Sequence, residues 1–186
     1  MLSELLEKLA QGLDARDVPY MVIGGQAVLV YGEPRMTRDI DVTLGIGPEG
    51  LAKVEDLMLT LGLTTLPESP AEFVHQRMVL PCKDEESGFR IDFIFSFTPY
   101  ERQAIERARS VQVGNTKVRF ASPEDLIIHK MVAGRPRDEE DVRGILLKTS
   151  VDVPYIENWL RQFDQALGRG TLERFQNLRQ SIHKRW

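Results

Sequence analysis

The chain of 186 residues has one cysteine, three histidines and no long apolar run, and each shortage removes a class of function. The lone Cys82 excludes an internal disulfide and leaves a zinc site without its usual thiolates, which fits a reducing, cytoplasmic compartment. Its expected role is that of a small, partly buried apolar residue. No second His or Cys stands at metal-ligand spacing from His75, which is therefore expected to be a half-exposed strand residue. No hydrophobic stretch approaches the ~20 residues of a membrane span, so no membrane partner is expected. The start, MLSELLEKLAQGL, carries acids and an amphipathic pattern instead of a basic end and an apolar core, so it does not read as a signal peptide. Positive charge is short as well. With 24 Lys and Arg against 28 Asp and Glu the net charge is -4, and a nucleic acid would have to be met by a local basic patch. Internal repeats and low-complexity linkers are absent.

What remains is a composition typical of a folded soluble protein, 42% hydrophobic and 28% charged. The length suits one domain, or one domain with a helical appendage, with the domain assigned to residues 1–150 and a helical extension packed on it over residues 151–186. Leu2, Leu5, Leu6, Leu9 and Leu13 recur at helical spacing behind a candidate N-cap at Ser3, and Leu51 to Leu61 repeats the pattern before Gly62. Ala71 to Leu80 alternates as Phe73, His75, Arg77 and Val79. With a turn over Cys82 to Gly88 it reads as one half of an antiparallel pair with the strand around Asp92. Pro99 to Arg109 reads as a helix, Val111 to Phe120 as a hairpin turning at Gly114-Asn115, and Ser122-Pro123-Glu124-Asp125 as a capping box that opens a helix carrying Lys130. After Gly134-Arg135-Pro136, the acids of Arg137-Asp138-Glu139-Glu140-Asp141 open the next helix. The tail from Pro154 is helical in pattern.

The chemistry concentrates in VIGGQAVLVYGEPRMTRDIDV, Val22 to Val42. A short apolar strand from Val18 to Ile23 stops at Gly24-Gly25, a turn that leads to a helix over Gln26 to Tyr31. Bare backbone there lets N–H groups face a phosphate. Arg35, Thr37 and Arg38 then lead into Asp39-Ile40-Asp41-Val42, whose carboxylates share one face of a strand with Cα atoms ~6.5–7 Å apart. Side chains reaching from there can grip metals spaced ~3.5–4 Å. Without a cation the two acids repel each other.

Gly-Gly, a short helix, an Arg-x-Thr-x-Asp-x-Asp strand and a later isolated acid resemble the nucleotidyltransferase superfamily related to DNA polymerase β. The isolated acid is Asp92, in Arg90-Ile91-Asp92-Phe93-Ile94-Phe95. The spellings GGQAVLVYGEPRMTRDIDV and SPEDLIIHKMVAGRPRDEEDV are similar to the small bacterial abortive-infection type nucleotidyltransferases that act as toxins of toxin–antitoxin pairs. The resemblance covers roughly Val18 to Ile145. It implies an α/β (α+β) fold with a small mixed sheet flanked by helices, followed by C-terminal helices. It further implies transfer of a nucleoside monophosphate, from ATP or another triphosphate, to an acceptor hydroxyl, either a transfer-RNA end or a small molecule, with pyrophosphate leaving. Two Mg²⁺ would be held by Asp39, Asp41 and Asp92, and Asp92 would help remove the acceptor's proton. Gly24, Gly25, Arg35, Thr37, Arg38 and Lys130 would serve the nucleotide. Asp138 and Asp141 fall where the toxin-like relatives keep acids, and a cognate antitoxin would be a partner.

Each residue also has a plainer reading. Asp39 and Asp41 could line a solvent-facing edge strand, Asp92 could point out of a half-covered sheet, and Gly24-Gly25 could be a simple turn. Arg35 and Arg38 could pair with nearby carboxylates, Lys130 could be a solvated helix residue, and Asp138 and Asp141 could merely favour a helix dipole. Two other functions leave much the same trace: a nucleotide-binding or partner-docking module without turnover, and an enzyme that modifies a protein hydroxyl. The tail gathers Arg169, Arg174, Arg179, Lys184 and Arg185, with Arg161 just before. That is either a basic flank for RNA or an exposed, dipole-favouring helix end.

Overall fold

The computed structural model describes residues 2–96 and 98–183. They divide by packing into two units, one holding the chain to Gln26 together with Thr37–Ala121, the other Ala27–Met36 together with the chain from Ser122 onward.

The first unit is built on strands β1 (Tyr20–Ile23), β2 (Asp39–Leu44), β3 (Leu63–Thr65), β4 (Val79–Asp84), β5 (Arg90–Phe95), β6 (Arg109–Val113) and β7 (Thr116–Phe120). They form one mixed sheet in the order β3-β4-β5-β2-β1-β7-β6. At its centre β2 runs antiparallel to β1 and parallel to β5. Period-two alternation explains the faces: Ile91, Phe93 and Phe95 of β5, and Ile40, Val42 and Leu44 of β2, are fully buried, which turns Arg90, Asp92, Asp39 and Asp41 to the opposite side. The expected hairpin is present, with β6 and β7 antiparallel and Val113 opposite Thr116.

Helix α1 (Leu2–Asp14) buries Leu5, Leu6, Leu9 and Leu13 and packs on β6, β7 and α3 (Leu51–Leu61). It starts at Leu2, so Ser3, the expected cap, lies in its first turn. Helix α5 (Pro99–Glu106) is opened by a reciprocal capping box in which Thr98 Oγ1 accepts from Glu101 N–H and Glu101 Oε2 accepts from Thr98 N–H. Residues 70–77 depart from expectation: the alternation Phe73, His75, Arg77 belongs to a helix, α4 (Pro70–Arg77), with Pro70 at its first turn and only Val74 buried. The antiparallel partner of β5 is β4, which runs on through Cys82 to Asp84, residues assigned from sequence to the turn. His75 is thus a residue of a helix's last turn, not of a strand.

Cys82 is buried on β4, and its thiol donates to the Ile91 carbonyl at 3.4 Å. Burial pushes its pKa up to about 12, with the Asp92 carboxylate adding to the effect. The native thiol is therefore expected to resist alkylation at pH 8 and to react at an ordinary rate once urea unfolds the chain, as mass spectrometry of modified protein would record. The thiol is neutral in both states below pH 9, but between pH 9 and about 12 it ionises only when unfolded, so stability falls as pH rises through that window.

The second unit is helical. It contains α6 (Pro123–Ala133), α7 (Pro136–Lys148), α8 (Val153–Leu167) and α9 (Thr171–His183), together with the end of α2 (Gly24–Tyr31). Helix α6 packs against α7, α8 and α9, and Leu126, Ile127, Ile128, Met131, Val142, Ile145, Ile156, Leu160 and Phe175 form the core. Ser122 caps α6 by accepting from Asp125 N–H at 3.1 Å. The Asp125 carboxylate accepts from the Ser122 hydroxyl at 2.6 Å and from the Tyr155 hydroxyl at 2.8 Å, which ties α8 to the cap. Helix α6 packs with α8 and α9, and α7 with α9, so the division by packing falls at Ala121–Ser122. Among the described residues no helix is long and apolar enough to cross a membrane.

Candidate active site

The register of β2 against β5 places Asp39 opposite Arg90 and Asp41 opposite Asp92. Residues paired across a ladder share a face, as do residues two apart along a strand. Asp39, Asp41, Asp92 and Arg90 therefore form a two-by-two group on one side of the sheet. Asp39 is exposed and Asp41 half-buried. Arg90 Nε donates to Asp92 Oδ1 at 2.8 Å, with side-chain exposures of 52% and 21%. This hydrogen bond, with added attraction from Asp92, Asp39 and Asp41, holds the guanidinium even more firmly protonated than usual. Sequence alone gives Arg90 no role in this group. Its place depends on cross-strand register, which its own neighbours do not announce.

Gly24 closes the group on the β1 side. Ile23 is the register partner of Asp41, and the next residue, Gly24, has φ +64. A Cβ there would lie 1.9 Å from Asp41 Oδ2, so the Asp41 carboxylate rests against bare backbone. Gly25 makes a similar close approach to Thr37, whose Oγ1 would be 2.6 Å from an added Cβ. The Gln26 amide, buried in the first turn of α2, donates to the Asp39 carbonyl at 3.2 Å and fixes the start of β2. Arg38 accepts at its carbonyl from Arg90 N–H at 3.3 Å, extending the ladder, and its side chain is exposed.

Arg35, Lys130, Asp138 and Asp141 are brought together within the second unit. Arg35 grips Asp141 with two parallel bonds, Nε to Oδ1 at 3.0 Å and one Nη to Oδ2 at 3.2 Å. Lys130 Nζ donates to Asp138 Oδ1 at 2.9 Å and to Asp141 Oδ2 at 2.7 Å, and Asp138 Oδ2 caps α7 through Arg135 N–H. Lys130, Asp138 and Asp141 are all buried. These residues thus form one closed ionic network in which two carboxylates and two cations neutralise each other. The sequence-predicted site residues fall accordingly into two groups, one in each unit.

The basic tail is also engaged within the helical unit. Arg169 donates to the Val132 carbonyl at 3.1 Å and Arg174 to the Met131 carbonyl at 2.9 Å. Arg179 stands 3.6 Å from Glu157, with its guanidinium over the Phe175 ring. Arg161 is exposed. Lys184 and Arg185 lie outside the described residues.

A family model described as an uncharacterised nucleotidyltransferase matches residues 1–178. The chain belongs to this nucleotidyltransferase family. No protein of curated function matches it in sequence. Among solved structures it is similar to an antigenic nucleotidyltransferase-like protein from Paracoccidioides brasiliensis, with 16% identity, a TM-score of 0.57 and 92% of each chain covered. It is similar to ANT(2")-Ia in complex with adenylyl-2"-tobramycin at 18% identity and a TM-score of 0.54, covering 99% of this chain and 98% of that one. A putative nucleotidyltransferase from H. pylori is similar at 13% identity and a TM-score of 0.53, covering 98% and 94%. At such identities these likenesses show a shared nucleotidyltransferase fold.

The family's chemistry calls for a divalent metal, and the residues fit one in kind: three carboxylates, hard oxygen donors, on a single face of neighbouring strands. As they stand, however, no group of three or more His, Cys, Asp or Glu among the described residues is drawn together closely enough to hold an ion. Arg90 accounts for one of the donor oxygens, Asp92 Oδ1. The close approach of Gly24 to this group gives a direct test. Gly24→Ala is expected to cost about 1–2 kcal/mol for the left-handed backbone alone, with a further cost from displacing the Asp41 carboxylate. Urea denaturation should show the second part relieved, and the first retained, when Asp41→Ala is added.

Proposed function

We propose that this nucleotidyltransferase moves a nucleoside monophosphate from a triphosphate to the hydroxyl of a small-molecule acceptor, with the reaction centred on Asp39, Asp41 and Asp92. The observation that carries the reading is the shared face of these acids across β2 and β5, set against the bare backbone of Gly24. Mg²⁺ held by Asp39, Asp41 and Asp92, in two ions, would neutralise the triphosphate and lower the pKa of the attacking hydroxyl. Asp92 takes the acceptor's proton. The acceptor oxygen bonds to the α-phosphorus as the bond from that phosphorus to the bridging oxygen breaks, and pyrophosphate leaves with the electron pair. Gly24 and Gly25 let backbone N–H groups approach the phosphates, while Thr37 and Arg38, just ahead of the first acid, meet phosphate oxygens. Arg35 and Lys130, expected to serve the nucleotide, are already paired with carboxylates of the helical unit.

A small acceptor is favoured over RNA in part because Arg169, Arg174 and Arg179 each have a partner within the helical unit, a carbonyl for the first two and Glu157 for the third. A similar fold solved with adenylyl-2"-tobramycin supports the same choice and makes ATP the first donor to try. The test is incubation with Mg²⁺ and each of the four ribonucleoside triphosphates, against hydroxyl-bearing small molecules, transfer RNA and candidate proteins, with mass spectrometry of every acceptor. A gain of one nucleoside monophosphate on a small molecule, absent with Asp39→Asn, is expected. Transfer to RNA instead would favour the toxin-type resemblance and a cognate antitoxin. Labelling of a protein would make the chain a protein-modifying enzyme, and triphosphate binding without any transfer would make it a binding module.

A further inference from the structure

The acidic face already contains a cation of its own. Across the three strands β2, β5 and β4 the register forms two rows, Asp39–Arg90–Lys83 and Asp41–Asp92–Pro81. Lys83 Nζ is engaged by Glu85 at 2.9 Å. Arg90 meets the site acids directly, through its 2.8 Å bond to Asp92 Oδ1 and its place opposite Asp39. A guanidinium cannot shed its charge at any physiological pH, so it can leave the carboxylate only by moving.

We propose that Arg90 is a positioning residue that stands in for the divalent cation at Asp92, orienting the third carboxylate and screening the acidic face while no metal is bound, and releasing Oδ1 when the metal binds. This rests on the reading of Asp39, Asp41 and Asp92 as the metal-holding acids. Two consequences follow from one contact. Arg90 competes with the metal, so it weakens divalent-cation affinity. It also offsets the mutual repulsion of the three carboxylates, so the metal-free protein depends on it for stability. A residue with a merely structural surface ion pair would affect the second property and leave the first unchanged.

The test uses the full chain without nucleotide, titrated calorimetrically with Mn²⁺ and with Mg²⁺, alongside thermal denaturation in EDTA and in excess Mg²⁺. Arg90→Gln is expected to bind the ions roughly threefold to tenfold more tightly, the scale of an exposed pair that no longer has to be broken. It should also melt lower than wild type in EDTA and regain most of the difference in Mg²⁺. Arg90→Lys, which keeps the charge and loses the directed Nε bond, should fall between the two. Unchanged or weaker ion binding by Arg90→Gln would overturn the proposal, as would a loss of stability that Mg²⁺ does not restore. The companion variant Asp41→Asn separates this from failure of the underlying reading. If wild type binds the ions and Asp41→Asn does not, the metal-holding acids stand whatever Arg90 does. If wild type and Asp41→Asn are alike in showing no ion binding, both readings fall.

Discussion

Asp41→Asn is expected to leave a folded protein whose nucleotidyl transfer has fallen by about a thousandfold or more. The substitution preserves the size of the side chain against Gly24, where an added Cβ would come within 1.9 Å of Asp41 Oδ2, so packing around β1 and β2 is undisturbed. What is lost is one of the charges that meet the metal and, through it, the triphosphate. Removing a single preorganised electrostatic group at a reacting centre commonly costs a factor of about a hundred to a thousand, and a metal ligand ranks with the larger cases. Stability should move the other way. Asp41 stands directly across from Asp92 and two residues from Asp39 on the same face, and relieving that repulsion should hold or raise the melting temperature in EDTA. Single-turnover rates with labelled triphosphate, paired with thermal denaturation of the same samples, check both halves. Activity near that of wild type would remove Asp41 from the reaction.

The second large effect concerns the helical unit. Asp141 is only 7% exposed and accepts from both Arg35 and Lys130, so Asp141→Asn leaves two cations to share Asp138. Breaking a buried pair from one side costs about 3–5 kcal/mol, because the remaining charge stays desolvated and uncompensated. Urea denaturation of the full chain should show that loss, and Lys130→Met in the same background should recover part of it by removing one of the stranded cations. If Asp141→Asn changes stability by less than about 1 kcal/mol, water reaches the network and its closed geometry is not a source of stability.

The acid pair and its strand were legible because period-two alternation is a local property: Ile40, Val42 and Leu44 declare one face and Asp39 and Asp41 the other. The same holds for Asp92 among Ile91, Phe93 and Phe95. Ser122 and Pro123 likewise announced α6 through capping chemistry that needs no distant partner. Residues 70–77 misled for a matching physical reason. Only Val74 of α4 is buried, so the helix has no apolar stripe at 3.6 spacing to betray it, and the chance alternation of Phe73, His75 and Arg77 imitates a strand. The start signal was present in Ser69-Pro70, proline being well placed in a first helical turn. Arg35 with Asp141, and Arg90 with Asp92 and Asp39, were beyond a local reading. A pair two residues apart on a strand can be suspected from sequence, but its meaning here depends on the strand lying alongside, and the ionic network joins residues from α6, α7 and the segment before β2.

The parallel pairing of β2 with β5 also bears on how the protein reaches its native state. Asp39 and Asp41 are joined by a few peptide bonds, but Asp92 reaches them only after α3, β3, α4 and β4 have been threaded back to the sheet. Such non-local pairing is slow, because the chain must give up loop entropy before the ladder repays it. The acids are therefore expected to converge late in folding, so that their repulsion weighs mainly on the finished structure. A divalent ion added during refolding would act on that last stage, lowering the barrier to docking β5 to the extent that it bridges the acids before the ladder is complete.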